Sequence, residues 1–192
     1  MNSKITTKQI VGTGLLLALE IIFQIIGNYL QFGPVNINLS LVTIVLAGIL
    51  YGPLSGAVVG FFNGLMAIFS PSTLAIFMPI NPAMTILVCL LKTSLAGFLA
   101  GLIFKLFKNK NHIVGLIISS ALVPIVNTTV FSVFALLFFR PFLESGVGEQ
   151  FPNIFLFLIL GVIGINFVFE IISTVLLSTP VGIILIKREK TA

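Results

Sequence analysis

Charge is scarce in this chain. Only 8% of its 192 residues are Asp, Glu, Lys or Arg, against 58% that are hydrophobic, whereas a soluble domain carries roughly 25% charged residues. A water-soluble globule cannot hide so much apolar surface, so a soluble enzyme, a secreted domain and a disordered chain are excluded. Cys89 is the single cysteine and His112 the single histidine. An internal disulfide and a thiolate metal cage are thereby excluded, and no metal site is expected. Neither G-x-x-x-x-G-K-[ST] nor H-E-x-x-H occurs, so the chain has no phosphate-binding loop to power itself with ATP and no zinc-protease motif. With no Ser–His dyad and no paired carboxylates on one helix, it does not read as an enzyme, and it needs no cofactor of its own.

What the chain has is long apolar runs. Crossing the hydrocarbon core takes ~20 apolar residues as a helix. The runs predict an all-α integral membrane protein, a single domain over 1–192, with six transmembrane helices at about 7–27, 36–50, 54–69, 83–107, 113–139 and 153–186. The basic start followed by an apolar run lacks a small-x-small cleavage site and carries Glu20, so it reads as a retained first span. Gly33-Pro34 and Tyr51-Gly52-Pro53 mark turns. The last run is too long for one upright span. A break is expected at Ser178-Thr179-Pro180, or an interfacial segment near 151–157.

The net charge of +5 would suggest nucleic acid in a soluble protein; here it reads as topology, and no nucleic-acid partner is expected. With six spans, Lys4, Lys8, Lys105, Lys108, Lys110, Lys187, Arg188 and Lys190 share one side, and Arg140 stands on the other. Cytoplasmic loops are rich in Lys and Arg, so both termini are expected in the cytoplasm and the chain in an inner or plasma membrane. The solitary His112 reads as a solvated loop residue.

Small residues recur every four positions: Gly56, Gly60 and Gly64 in the third span, Ala96/Ala100 and Gly97/Gly101 in the fourth, Gly14 and Ala18 in the first. Such stripes let helices touch in lipid. Packing inside the bundle accounts for them in general; for Gly14 and Ala18 docking of another membrane subunit is the favoured reading.

Ionisable groups at membrane depth are costly and mark functional sites. The spans hold Glu20, Lys92 and Glu170. By helix rise, Glu20 lies ~12 Å from the outer end, Lys92 ~15 Å, Asn127 ~16 Å and Asn166 ~18 Å, with Glu170 one turn deeper. Four polar groups at one depth suit a pocket open to the outside, joined by Thr128 beside Asn127 and by Asn36 and Asn38, which flank the entry to the second span and either cap it or reach a ligand. Two plainer readings stay open: a salt bridge from Lys92 to Glu20 or Glu170, and an Asn127-Thr128-Thr129 group that satisfies the kink at Pro124. The segment from Ser70 to Pro82 is uncharged and proline-rich, and bears Ser72, Leu74, Phe77 and Met78, which suits a lid over an apolar mouth.

These motifs, in this order, resemble one family: the substrate-binding S components of energy-coupling factor (ECF) vitamin transporters. The resemblance is carried by FGPVNINLSLVTIVLAGILYGPLSGAVVGFFNGL, NPAMTILVCLLKTSLAGFLAGLIFKLFKNKN, PIVNTTVF and GINFVFEIISTVLL. It implies a partnership with a membrane T subunit and two ATPase subunits that use ATP, with the S component capturing the vitamin. It also implies that Gly14 and Ala18 stand where many members contact the T subunit through alanines. Where many relatives have Pro-Arg, this chain has Leu91-Lys92, keeping the cation and losing the proline. The Asn-Thr pair and the GPVNINL segment look most like pantothenate-type members. Folate, a pyridoxine-type vitamin and riboflavin stay open as substrates, as does a stand-alone proton-coupled carrier using Glu20 or Glu170.

Overall fold

The computed structural model describes residues 6–29, 31–32, 35–36, 38–107 and 110–191, without the side chains of 28–29, 31–32, 35–36 and 189–191. Lys4, Lys108 and the Gly33-Pro34 turn lie outside the described residues, as do the side chains of Asn36 and Lys190. Among the described residues the elements are helical apart from a two-residue antiparallel pairing. In order it forms α1 (Thr7–Tyr29), β1 (Gln31–Phe32), β2 (Val35–Asn36), α2 (Ser40–Tyr51) and α3 (Pro53–Ile68). After a π-helical turn (Thr73–Phe77) come α4 (Pro82–Phe107), α5 (His112–Phe138), α6 (Arg140–Ser145) and the single turn α7 (Ile154–Leu156). A π-helical segment (Phe157–Ile163) then leads into α8 (Gly164–Thr191).

Four helical stretches among the described residues are long and apolar enough to cross a membrane: α1, α4, α5 and the run Ile154–Arg188. α2 and α3 are shorter, at 12 and 16 residues. α2 is the centre of the bundle. It has no charged residue, and every residue from Ser40 to Ile49 is buried, as expected of a helix apolar on all sides. Gly52, at φ 99°, makes the turn into α3, and Pro53 opens that helix, where its missing N–H costs nothing.

The glycine stripes of α3 and α4 face each other. A methyl group at Gly56, Gly60 or Gly64 would collide with the backbone carbonyls of Gly97, Thr93 or Cys89 in α4. The two helices touch backbone to backbone, so these stripes belong to the bundle, as the packing account of them holds.

Three segments differ from the sequence reading. The second helix begins at Ser40 and not at 36, because 35–36 pair as a strand. The segment after α3 is a helical turn and not an open loop; its i, i+5 bond runs from the Met78 N–H to the Thr73 carbonyl at 2.9 Å. Finally, the last helix passes through Pro180 unbroken, and the interruption lies at Gly164, whose φ of 38° and open surroundings let the chain turn there. A proline removes one hydrogen bond and bends a helix, but neighbouring turns carry an apolar helix past it.

Candidate functional site

A partly enclosed cavity of about 190 Å³ lies beneath the π-helical turn. α4 contributes Thr85, Val88, Cys89 and Lys92; α5 contributes Phe131, and Phe139 follows it. The roof is Ser70, Ser72, Thr73 and Phe77. Thr85 fastens roof to wall, its hydroxyl lying 2.9 Å from the Phe77 carbonyl and 2.8 Å from that of Asn81. Lys92 is half-buried, and its ammonium stands 5.7 Å from the centre of the Phe131 ring, a cation–π distance. Among the described residues no carboxylate lies within 4 Å of it; Glu170 of α8 feels it as the nearby charge. The cavity thus offers one cation, a few hydroxyls and aromatic walls, which is the chemistry of a small anion with an apolar body.

Glu20 belongs to a different cluster. It is fully buried, where the Thr43 hydroxyl bonds it and the Asn63 amide donates at 2.6 Å. The Asn63 amide also reaches Ser40 Oγ at 2.6 Å and Gln24 Oε1 at 3.3 Å, and the Ser40 hydroxyl donates to Asn38 Oδ1 at 2.5 Å. α1, α2 and α3 are therefore joined by a buried polar network. A buried carboxylate needs such donors, and this one finds them without Lys92.

At the other end of α4 is a larger cavity of about 700 Å³, lined by Gln9, Thr13, Gly14 and Leu17 of α1, the α2–α3 turn, and Gly101, Phe104 and Lys105 of α4. Nothing lies within 4 Å of where a side chain at Gly14 would start, and Ala18 is exposed. The rise along α4 from Thr85 to Lys105 is ~30 Å, so the two cavities occupy opposite ends of the bundle.

A family model for the ECF transporter substrate-specific component matches residues 8–182. The chain belongs to that family. No curated protein matches the S component, and neither does any solved structure. As a family member with several apolar helices, the S component is a multi-pass plasma-membrane protein. Family members are substrate-binding transport subunits, not enzymes, and associate with a T subunit and an ATPase module.

In this S component the residues singled out from sequence are spread over the small cavity, the polar network and the large cavity, and Asn127, Thr128 and Asn166 stand outside the lining of both cavities. Lys92, Ser72 and Phe77 line the small cavity. Met78 packs on the apolar cluster beside it, while Leu74 is exposed. Asn127 is buried one turn before Phe131, and its Oδ1 has no partner among the described residues. Thr128 is half-buried, and its carbonyl accepts the Ser132 hydroxyl at 2.7 Å. Asn166 stands in the first turn of α8. Glu20 and Asn38 are drawn together in the polar network, away from the small cavity. Gly14 lines the large one. Sequence reasoning missed Ser40, Thr43 and Asn63, and the cavity residues Thr85, Cys89 and Phe131. A signal for Asn63 was present: it is an amide set beside the glycine stripe of α3, where only a facing polar group makes it tolerable.

Proposed function

We propose that this S component captures a small carboxylated vitamin from outside the cell, pantothenate being the leading candidate, and delivers it to a T subunit and two ATPase subunits. The observation that carries this is the Lys92 ammonium, which lines the cavity over the Phe131 ring with no carboxylate within 4 Å of it among the described residues. Lys92 neutralises the substrate carboxylate. Asn127, Thr128 and Asn166 give neutral hydrogen bonds once the substrate is in place. The segment from Ser70 to Pro82 is the lid. The cavity volume of about 190 Å³ is below the ~300–1,000 Å³ usual for drug-sized ligands, which favours a compact vitamin over a flavin or a folate. Pantothenate itself rests on the likeness of the Asn-Thr pair and the GPVNINL segment to pantothenate-type members.

In the same reading the chain crosses the membrane six times with both termini in the cytoplasm. Lys8, Lys105, Lys110, Lys187 and Arg188 then lie on the side rich in basic residues, and the large cavity opens toward them. Gly14 and Ala18 receive the T subunit there. Mass spectrometry of small molecules that co-purify with the detergent-solubilised protein, followed by titration with pantothenate, tests the substrate. Saturable pantothenate binding supports the reading. A different co-purifying carboxylate replaces the vitamin and keeps the site, and a neutral or cationic ligand overturns both.

A further inference from the structure

The lid is more than the segment over the cavity. Phe77, its inner wall, meets three rings edge-on: Phe131 at 5.6 Å and Phe139 at 5.2 Å, which also line the cavity, and Phe142 of α6 at 5.1 Å. Phe142 does not line the cavity. Its ring stands 5.7 Å from Phe157, in the π-helical segment before α8, and Phe157 stands 5.6 Å from Phe151. The Phe157 ring packs directly on Gly146 and Gly161, filling the space that a side chain at either would need. Two apolar clusters meet here. One holds Ile68, Val88, Cys89 and Phe139; the other holds Ala135, Leu143 and Leu158. Phe142 packs against both.

We infer that Phe142 is a positioning residue that latches Phe77 over the cavity, so that α6 and the π-helical segment form the second arm of the lid. Ring pairs of this geometry add stability beyond the area they bury, and Phe142 links Phe77 to Phe157. The second arm has its own pivot at Gly164, where the positive φ breaks the helix and the space for a side chain is open. A π-helical stretch beside such a break is a common mark of a functional segment. Opening the cavity therefore requires the Phe77–Phe142 contact to part, and residues far along the chain from the lid set how often it does. The inference rests on the lid reading of the 70–82 segment, and not on which vitamin binds.

Cys89 supplies the test without any knowledge of the ligand. It is the only cysteine in the chain, it lines the cavity, and it is buried under the roof. A small water-soluble methanethiosulfonate reagent modifies it only when the lid opens, at a rate set by the open population. The protein in detergent is labelled as wild type, Phe77→Ala, Phe142→Ala, Phe142→Tyr and the Phe77/Phe142 double alanine variant, with Cys89→Ser as blank. Phe142→Ala is expected to raise the rate about tenfold, as Phe77→Ala does. The double variant should go no further, and Phe142→Tyr should restore the slow rate. A Phe142→Ala rate within about twofold of wild type overturns the latch, and so does an additive double variant. Unfolding temperatures taken in parallel separate opening from collapse: a fast rate that Phe142→Tyr does not restore, with a lowered unfolding temperature, assigns Phe142 to packing alone. Failure of pantothenate to bind would leave these rates untouched.

Discussion

At Lys92 the ammonium faces an aromatic ring at 5.7 Å and no carboxylate within 4 Å among the described residues. A cation at this depth needs an anion, and in the proposed function the substrate brings it. Lys92→Met should weaken vitamin binding at least about tenfold, or ~1.4 kcal/mol, in a titration of the purified protein that still runs as a monodisperse species. Unchanged affinity would return Lys92 to a purely internal role. Asn127 makes a parallel case: its buried Oδ1 has no partner among the described residues. Asn127→Leu should reduce affinity without changing assembly with the T subunit, as judged by co-purification. Asn63 is expected to behave differently, since its amide serves Glu20 and Ser40 together. Asn63→Leu strands both and should cost stability by roughly 1–3 kcal/mol, read as a lower unfolding temperature, with vitamin affinity in the remaining folded protein unchanged.

Among the elements, α3 and α4 form the tightest seam. At Gly60 a side chain would enter the Thr93 carbonyl and its neighbours. Neither helix can yield, because α2 and α5 press on α4 from other sides. Gly60→Val should therefore prevent recovery of folded protein, whereas Gly14→Val, which meets open space, should be recovered at wild-type yield. In the proposed function the element above the small cavity makes the opposite demand, since a lid must move. A spin label at Ser72, introduced in a Cys89→Ser background, should lose mobility when vitamin is added. Equal spectra with and without vitamin would count against the roof as a lid.

For the whole molecule, the two cavities lie at opposite ends of α4, and in the proposed function they separate capture from coupling. Gly14 and Ala18 stand at the end away from Lys92, on a face of α1 that its own bundle leaves uncovered. Replacing both with Trp should leave vitamin binding intact and abolish ATP-dependent uptake by the reconstituted complex. Loss of both together would assign the pair to internal packing, and loss of neither would mean that this face meets only lipid.

Much of this was legible in the chain itself. Apolar runs and scarce charge dictate helices in a membrane, because only a closed hydrogen-bond ladder tolerates hydrocarbon. The four-residue spacing of Gly56, Gly60 and Gly64 dictates a close helix seam, and the order of motifs agrees with the family. The spacing could not say which polar groups meet. Glu20, Lys92 and Asn127 lie at similar depth along their helices, but the rotation of each helix about its axis decides its partners. That rotation comes from packing among α1, α2 and α3, which turns Glu20 to Thr43 and Asn63 and leaves Lys92 to the cavity. The site of the break in the last helix is likewise tertiary. Pro180 sits within a continuous helix, while the break falls at Gly164, whose positive φ only glycine adopts readily and where the space for a side chain is open.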